Sequence, residues 1–300
     1  MIADHRPDQR MPRSSTRISI LALTLALGSC RASPPERAEA ATPADTSPSF
    51  AAEPSTAPAP PIETDSGGVQ EMAFRGARYY VVPVDLDRAR IQMHWEDVNG
   101  EPYRRASVLA DSLSAAGERV IAVVNSGIYT PQDAPKGLHV ERGRTLVPLN
   151  TTDSTSGNFF RPRPNGVFAV MNDGTARLVR RGAAAALVPR MREATQSGPR
   201  LLESGQPVSR FSNTPLRRTA ICVASPRRVF IAVSRDPVSL NDLAALFRDR
   251  LGCTDALFLD GGAVQALVAP AEGIAMETGR FVGFIAVVAG GRPRSAAGSP

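Results

Sequence analysis

Residues 255–263 read "DALFLDGGA". The apolar run Ala256–Leu259 has the length of a buried strand, and it stops at an aspartate followed by two glycines. A turn explains that ending, because Asp and Gly are ordinary turn formers. An aimed carboxylate explains it equally, because glycine lets a ligand or a second backbone come close. Which reading holds depends on what the rest of the chain brings to this strand end.

The neighbourhood of this strand also points to the fold class. Directly before it, "SLNDLAALFRDRL" (239–251) reads as a helix that stops at Gly252. Ser239, with Asp242 three residues on, makes a start resembling a capping box. Strands are expected at 73–82, 90–95, 119–125, 137–141, 165–171, 175–180, 199–203, 218–223, 229–234 and 281–288, from apolar alternation and β-branched or aromatic content. "NDGT" at 172–175 carries an Asp-Gly hairpin signal. A second helix is expected over 104–116, closed by Gly117. About ten strands and two clear helices, without regular βαβ alternation, predict an α+β domain. Its sheet should be mixed and largely antiparallel, with a few packed helices.

That domain occupies 69–290. Upstream, "MPRSSTRISILALTLALGSC" (11–30) has a basic start at Arg13 and Arg17, an apolar run Ile18–Leu27, and a small-residue ending at Cys30. The run is too short for a bilayer-spanning helix and fits a signal segment. "LGSC" resembles a bacterial lipoprotein signal, which implies lipidation of Cys30 and membrane anchoring, with the outer membrane slightly preferred. Residues 31–68 are rich in Pro, Ala, Ser and Thr and read as a disordered tether of roughly 35 Å as a flexible coil. Residues 291–300 read as a disordered tail. The expected location is a lipid-anchored protein facing the periplasm or the exterior. Cys222 and Cys253 are free to pair in such a compartment, but spacing alone does not show that their side chains meet.

Composition excludes several classes. The net charge of +6 is modest, and the arginines are scattered singly or in pairs, which is not a nucleic-acid footprint. There is no His-x-x-x-His or Cys-x-x-Cys spacing, no Gly-x-Ser-x-Gly elbow, no Walker loop and no dinucleotide fingerprint. What remains is a set of polar residues at strand ends and turns. They are Asn125 and Ser126 in "VVNSGIY", Asn158 in "SGNFF", Asn165 in "PNGVF", Gln196 and Ser197 in "ATQSGPRLL", Arg217 and Arg218 in "RRTAICV", and Asp260 in "FLDGG". Each alone is ordinary turn chemistry.

The order and spacing of these pieces resembles the phosphodiester glycosidase family, in its bacterial branch, from about Ile91 to Val288. The stretches that carry the resemblance are "VVNSGIYTPQDAPKGLHVERGR", "SGNFFRPRPNGVFAV", "ATQSGPRLL", "VSRDPVSLNDLAALFRDRLGC" and "DALFLDGG". The sequence departs from the family pattern at three places. Ser126 stands where Gly or Ala is common. "GGAVQA" puts Ala263, Val264 and Gln265 where hydroxyl residues are usual. Arg200 follows the Gly-Pro pair, placed either to add a phosphate contact or to point to solvent.

The resemblance implies hydrolysis of a sugar-1-phosphodiester on its glycosidic side, with a glycan or sugar phosphodiester as substrate. Such chemistry asks for a carboxylate that activates water or steadies an oxocarbenium-like centre, and for arginine donors to the phosphate. Asp260 is the expected carboxylate with Asn125 beside it. Arg218 and then Arg217 are the expected phosphate ligands. Asn158, Asn165 and Ser197 are expected to orient the substrate, and Gly261 and Gly262 to permit its approach. Glu141 and Asp236 are candidates for a second carboxylate. A divalent cation at Asp260 and the asparagines is compatible with oxygen ligation. Two other readings stand beside this one. A binding lipoprotein that has lost turnover would keep the same pocket. A structural envelope protein would use the turns only to close a sheet.

Overall fold

The computed structural model describes residues 67–152 and 165–290. The expected signal segment with Cys30, all but the last two residues of the tether, Asn158 and the tail lie outside them. In chain order the elements are β1 (Gln70–Phe74), β2 (Ala77–Asp85), β3 (Ala89–His94), α1 (Ala106–Ala115), β4 (Val120–Asn125), β5 (His139–Glu141), β6 (Arg144–Val147), β7 (Gly166–Met171), β8 (Ala176–Arg180) and α2 (Arg181–Ala184). Then follow β9 (Met191–Ser197), β10 (Arg200–Glu203), β11 (Gln206–Pro207), β12 (Arg218–Ser225), β13 (Arg228–Ser234), α3 (Leu240–Ala245), β14 (Asp255–Gly261), β15 (Gln265–Ala269), β16 (Ile274–Thr278) and β17 (Phe284–Ala289).

The strands make three sheets. One has the order β1-β2-β13-β12-β14-β10-β11, the second β16-β15-β4-β17-β3, and the third β6-β5-β9-β7-β8. Every ladder among the described residues is antiparallel. The fold is therefore α+β and dominated by antiparallel sheet. Val82, Ile91 and Phe168, one from each sheet, belong to a shared buried core, so the sheets enclose a common interior. The other face of the first sheet packs under α3 through Phe258, Val238 and Leu243. The outer face of the second packs under α1 through Leu109 and Leu113.

Several expected elements come out divided. The strand expected at 73–82 is a hairpin, β1 and β2, because Arg75 and Gly76 both take positive φ (48° and 76°), the geometry of a tight two-residue turn. The helix after Ser239 starts as expected: the Ser239 hydroxyl accepts the Asp242 N–H. Its second half, Leu246–Arg250, widens into a π-helical turn. β9 was missed because "MREATQS" is polar, and β15 and β16 because "QALVA" has no alternation to read. Cys222 on β12 and Cys253 before β14 form a disulfide, resolving the pairing left open above.

Candidate functional site

The end of β14 is decided by a β-bulge. In the β12–β14 ladder Thr219 pairs with Asp260, but Ala220 pairs with Phe258, so Leu259 is an extra residue. Residues directly opposite in an antiparallel pair share a face. Thr219 follows the alternation of Ile221 and Val223, which face the common interior. Asp260 is therefore turned into that interior. Simple alternation would have sent it to the face of Phe258, under α3. Re-aiming one side chain is what bulges do.

The bulge is held from outside the sheet. An extra residue leaves its carbonyl without a ladder partner, and here the Ser197 hydroxyl donates to the Leu259 carbonyl at 2.7 Å. Ser197 ends β9 and is fully buried. Beyond Asp260 the two glycines answer two backbone demands. A Cβ on Gly261 would collide with the Arg217 carbonyl. Gly262 sits at φ +94° and donates its N–H to that same carbonyl at 2.7 Å. The Gly261 N–H donates to Asp260 Oδ1, also at 2.7 Å. Both glycine amides are thus spent on holding the turn.

Asp260 is partly exposed, yet protein surrounds its carboxyl, and this desolvation raises its pKa from 3.8 to about 6. The Gly261 N–H opposes the rise only in part. Asp260 in turn helps to raise the pKa of the Tyr129 phenol, after desolvation as the first cause, so the two groups are electrostatic neighbours. The Tyr129 hydroxyl donates to the Arg280 carbonyl at 2.8 Å.

Asn125 ties three strands together beside this carboxylate. Its Oδ1 accepts from Thr219 Oγ1 at 3.0 Å and from the Ala266 N–H at 3.1 Å, and it is completely buried. Its Nδ2 has one long contact, to the Ser126 carbonyl at 3.4 Å. The next residues pack closely. A Cβ on Gly127 would meet the Gln196 carbonyl at 2.8 Å, and a Cβ on Gly283 would run into the Ser126 hydroxyl. Ser126 thus fills the space left by Gly283. Gln265, at the start of β15, donates from Nε2 to the Arg218 carbonyl at 2.9 Å. It is 1% exposed, and its Oε1 has no partner among the described residues.

The expected residues converge in part. Asp260 and Asn125 meet through Thr219. Ser197 acts on the same strand end. Asn165 lies one step further out, where its Oδ1 accepts from Gln196 Nε2 at 3.5 Å. Arg218 brings its backbone to the site but sends its side chain to the other face. Its guanidinium lies 5.3 Å from the Phe258 ring centre and donates to the Val238 and Thr214 carbonyls at 3.4 and 3.2 Å. Burial lowers its pKa. Arg217 is exposed and just precedes β12.

The second-carboxylate candidates are otherwise engaged. Glu141 pairs with the buried His139 Nε2 at 2.8 Å. Asp236 binds Arg78 through both oxygens, a hydrogen-bonded pairing that holds it well below the ordinary carboxylate range. Arg200 does not reach solvent. It is buried beside Glu203 and Asp255, at 3.1 and 3.5 Å. Among the described residues no three His, Cys, Asp or Glu side chains gather as a metal-ligand set. Thr219 and Tyr129 escaped the sequence reading, since a threonine inside a strand and a tyrosine in a loop carry no local signal.

Residues 118–292 match the phosphodiester glycosidase family, more than half of the chain. The chain belongs to this family. A relative within reach of sequence alignment is the "Uncharacterized protein YigE" of Escherichia coli K12, 32% identical over 184 residues, covering 59% of this chain and 69% of that protein. Two solved structures are similar to this chain at low identity. One is a hypothetical protein from Synechocystis, with 14% identity and a TM-score of 0.46, covering 74% of this chain and 61% of that one. The other is the zebrafish N-acetylglucosamine-1-phosphodiester alpha-N-acetylglucosaminidase catalytic domain, auto-inhibited by its pro-peptide. It shows 12% identity and a TM-score of 0.48, covering 75% of this chain and 82% of that one. This chain thus spans less than two thirds of the Synechocystis chain.

Proposed function

We propose that this family member hydrolyses sugar-1-phosphodiesters at the bond between the anomeric carbon and the phosphate oxygen, acting on glycans of the bacterial envelope. The observation that carries this reading is the bulge that turns Asp260 into the interior beside Asn125 and Thr219. Water adds to the anomeric carbon, Asp260 takes the proton of that water, and the phosphomonoester leaves with the bonding electron pair. Phosphate is a good leaving group, so one carboxylate with a pKa of about 6, ionised at neutral pH, meets the main demand. The weakly engaged Nδ2 of Asn125 is a donor for a sugar hydroxyl or the bridging oxygen. Strand alternation puts Arg217 on the Asp260 face and Arg218 on the other, under α3, so Arg217 is the phosphate ligand in this reading and Arg218 contributes only its backbone. Asn165 belongs at the outer edge.

An envelope location is supported by two features. The N-terminal pattern ending at Cys30 is that of a lipidated protein. The Cys222–Cys253 disulfide suits an oxidising compartment. No helix among the described residues is long and apolar enough to cross a membrane. In this reading the anchor is a lipid on Cys30.

The test is to incubate the full chain with methyl phosphodiesters of glucose, galactose, mannose and N-acetylglucosamine 1-phosphates and to measure free sugar. Release that disappears in Asp260→Asn supports the proposal. Binding by calorimetry without release makes the protein a glycan- or phosphate-binding lipoprotein instead. If the chain shows no release and no binding, the reading is refuted.

A further inference from the structure

Gln265 follows the Asp-Gly-Gly turn by three residues, and the structure gives it a defined orientation. A carbonyl can only accept, so the side-chain atom facing the Arg218 carbonyl at 2.9 Å must be the NH2 group. Oε1 therefore points away from that carbonyl. It lies in a residue 1% exposed and has no partner among the described residues.

Its surroundings are those of the site. Gln265 shares the strand alternation of Leu267, which faces the common interior into which Asp260 is turned. The next residue, Ala266, donates its N–H to Asn125 Oδ1 at 3.1 Å. The Gln265 NH2 holds the backbone of Arg218, the neighbour of Thr219, and Thr219 is the ladder partner of Asp260. A buried acceptor without a partner costs about 1–3 kcal/mol, so Oε1 calls for a donor that the neighbouring side chains do not supply, a substrate group or an ordered water.

The geometry points to Gln265 as a specificity-determining residue, whose Oε1 accepts a hydrogen bond from a hydroxyl or amide N–H on the sugar ring of the substrate. The inference rests on the sugar-1-phosphodiester reading above and deepens it. An acceptor repels phosphoryl oxygens, so the group at this position is the sugar and not the phosphate. The phosphate end is left toward Arg217. A serine or threonine hydroxyl at this position both donates and accepts. Oε1 of Gln265 only accepts, so it pairs with a donor of the substrate at one ring position.

The experiment is a substrate-by-mutant cycle with the full chain. The substrate is whichever sugar methyl phosphodiester of the panel the wild type cleaves, together with its monodeoxy analogues. For the wild type, removing one particular hydroxyl lowers kcat/KM about three- to tenfold, the value of one neutral hydrogen bond. In the near-isosteric Gln265→Met that penalty disappears, while the penalties at the other positions stay. Gln265→Glu, which keeps an acceptor at the same place, changes the same penalty by threefold or more and leaves the others.

If all deoxy penalties persist unchanged in both variants, the Oε1 contact does not exist and the inference is overturned. A uniform change at every ring position overturns it too, because that is the mark of a structural role. Should Gln265→Met fail to fold, judged by thermal melting, the Gln265→Glu series decides alone. Should the wild type bind without cleaving, the same cycle is read in Kd. If no analogue is bound or cleaved, the phosphodiester reading fails and this inference falls with it, an outcome distinct from failure of the cycle.

Discussion

Replacing the proposed catalytic carboxylate should make the protein more stable, by an amount that depends on pH. Burial raises the Asp260 pKa from 3.8 to about 6. Between those values the folded chain holds a proton that the unfolded chain has released. Stability contributed by the protonated form is complete below pH 3.8 and is lost as pH rises through about 6. The interval, at about 1.4 kcal/mol per pH unit, comes to about 3 kcal/mol, an upper figure because the side chain is partly in contact with water. Asp260→Asn removes the charge and can still accept the Gly261 N–H through its amide oxygen. The variant should be up to about 3 kcal/mol more stable than the wild type at pH 7.5, and the gap should shrink to about 1 kcal/mol at pH 4.5. Urea unfolding of both proteins at the two pH values, with the disulfide intact, measures this. The midpoint at pH 7.5 should move up by about 1 M. A variant less stable than the wild type at pH 7.5 would refute the reasoning. So would a gap that does not change with pH, since a lost contact and not a desolvated charge would then dominate.

Other changes test the frame around the carboxylate. Ser197→Ala strips the Leu259 carbonyl of its hydrogen bond and should cost about 1–3 kcal/mol in denaturant unfolding, with a loss of hydrolysis larger than the loss of fold. Gly261→Ala drives a methyl group into the Arg217 carbonyl and should cost about 1–3 kcal/mol, while Gly182→Ala, where nothing lies within 4 Å, should not destabilise. Arg200→Met removes a buried cation whose partners Glu203 and Asp255 keep contact with water, Glu203 also keeping Arg180, so it should leave stability unchanged or raise it by about 1–4 kcal/mol in the same assay. Cys222→Ala with Cys253→Ala opens a cross-link of sequence separation 31 and should lower stability by about 3–4 kcal/mol without changing the pH profile of hydrolysis.

Much of the fold was legible because it rests on local rules. The strand lengths around 166–180 and 218–234, the Asp-Gly turn at 173–174 and the Ser239 cap follow from alternation, turn chemistry and capping, which need only neighbouring residues. The same rules failed where burial and polarity part company. β9 carries Glu193, Thr195, Gln196 and Ser197, all buried and polar, so its pattern reads as surface. Their partners lie far along the chain: Glu193 accepts from the Met93 and Arg142 N–H groups, and Gln196 clasps Asn150. A hydrogen bond between residues fifty or a hundred apart leaves no periodic trace. Arg200 was invisible for the same reason, since a buried arginine and an exposed one look alike in a sequence.

The division is clearest at "DALFLDGGA". From the sequence alone came a buried strand, its halt at Asp260 and the company the aspartate would keep in the resembling family. Composition and order suffice for these, because apolar run length and turn residues act locally. Tertiary structure decided where the carboxylate points. That direction depends on a single extra residue in the ladder, Leu259, and on a serine from another sheet that satisfies its carbonyl. Side chains alternate along a strand, so a shift of one residue exchanges the interior for the opposite face. Only the partner strand shows where that shift occurs.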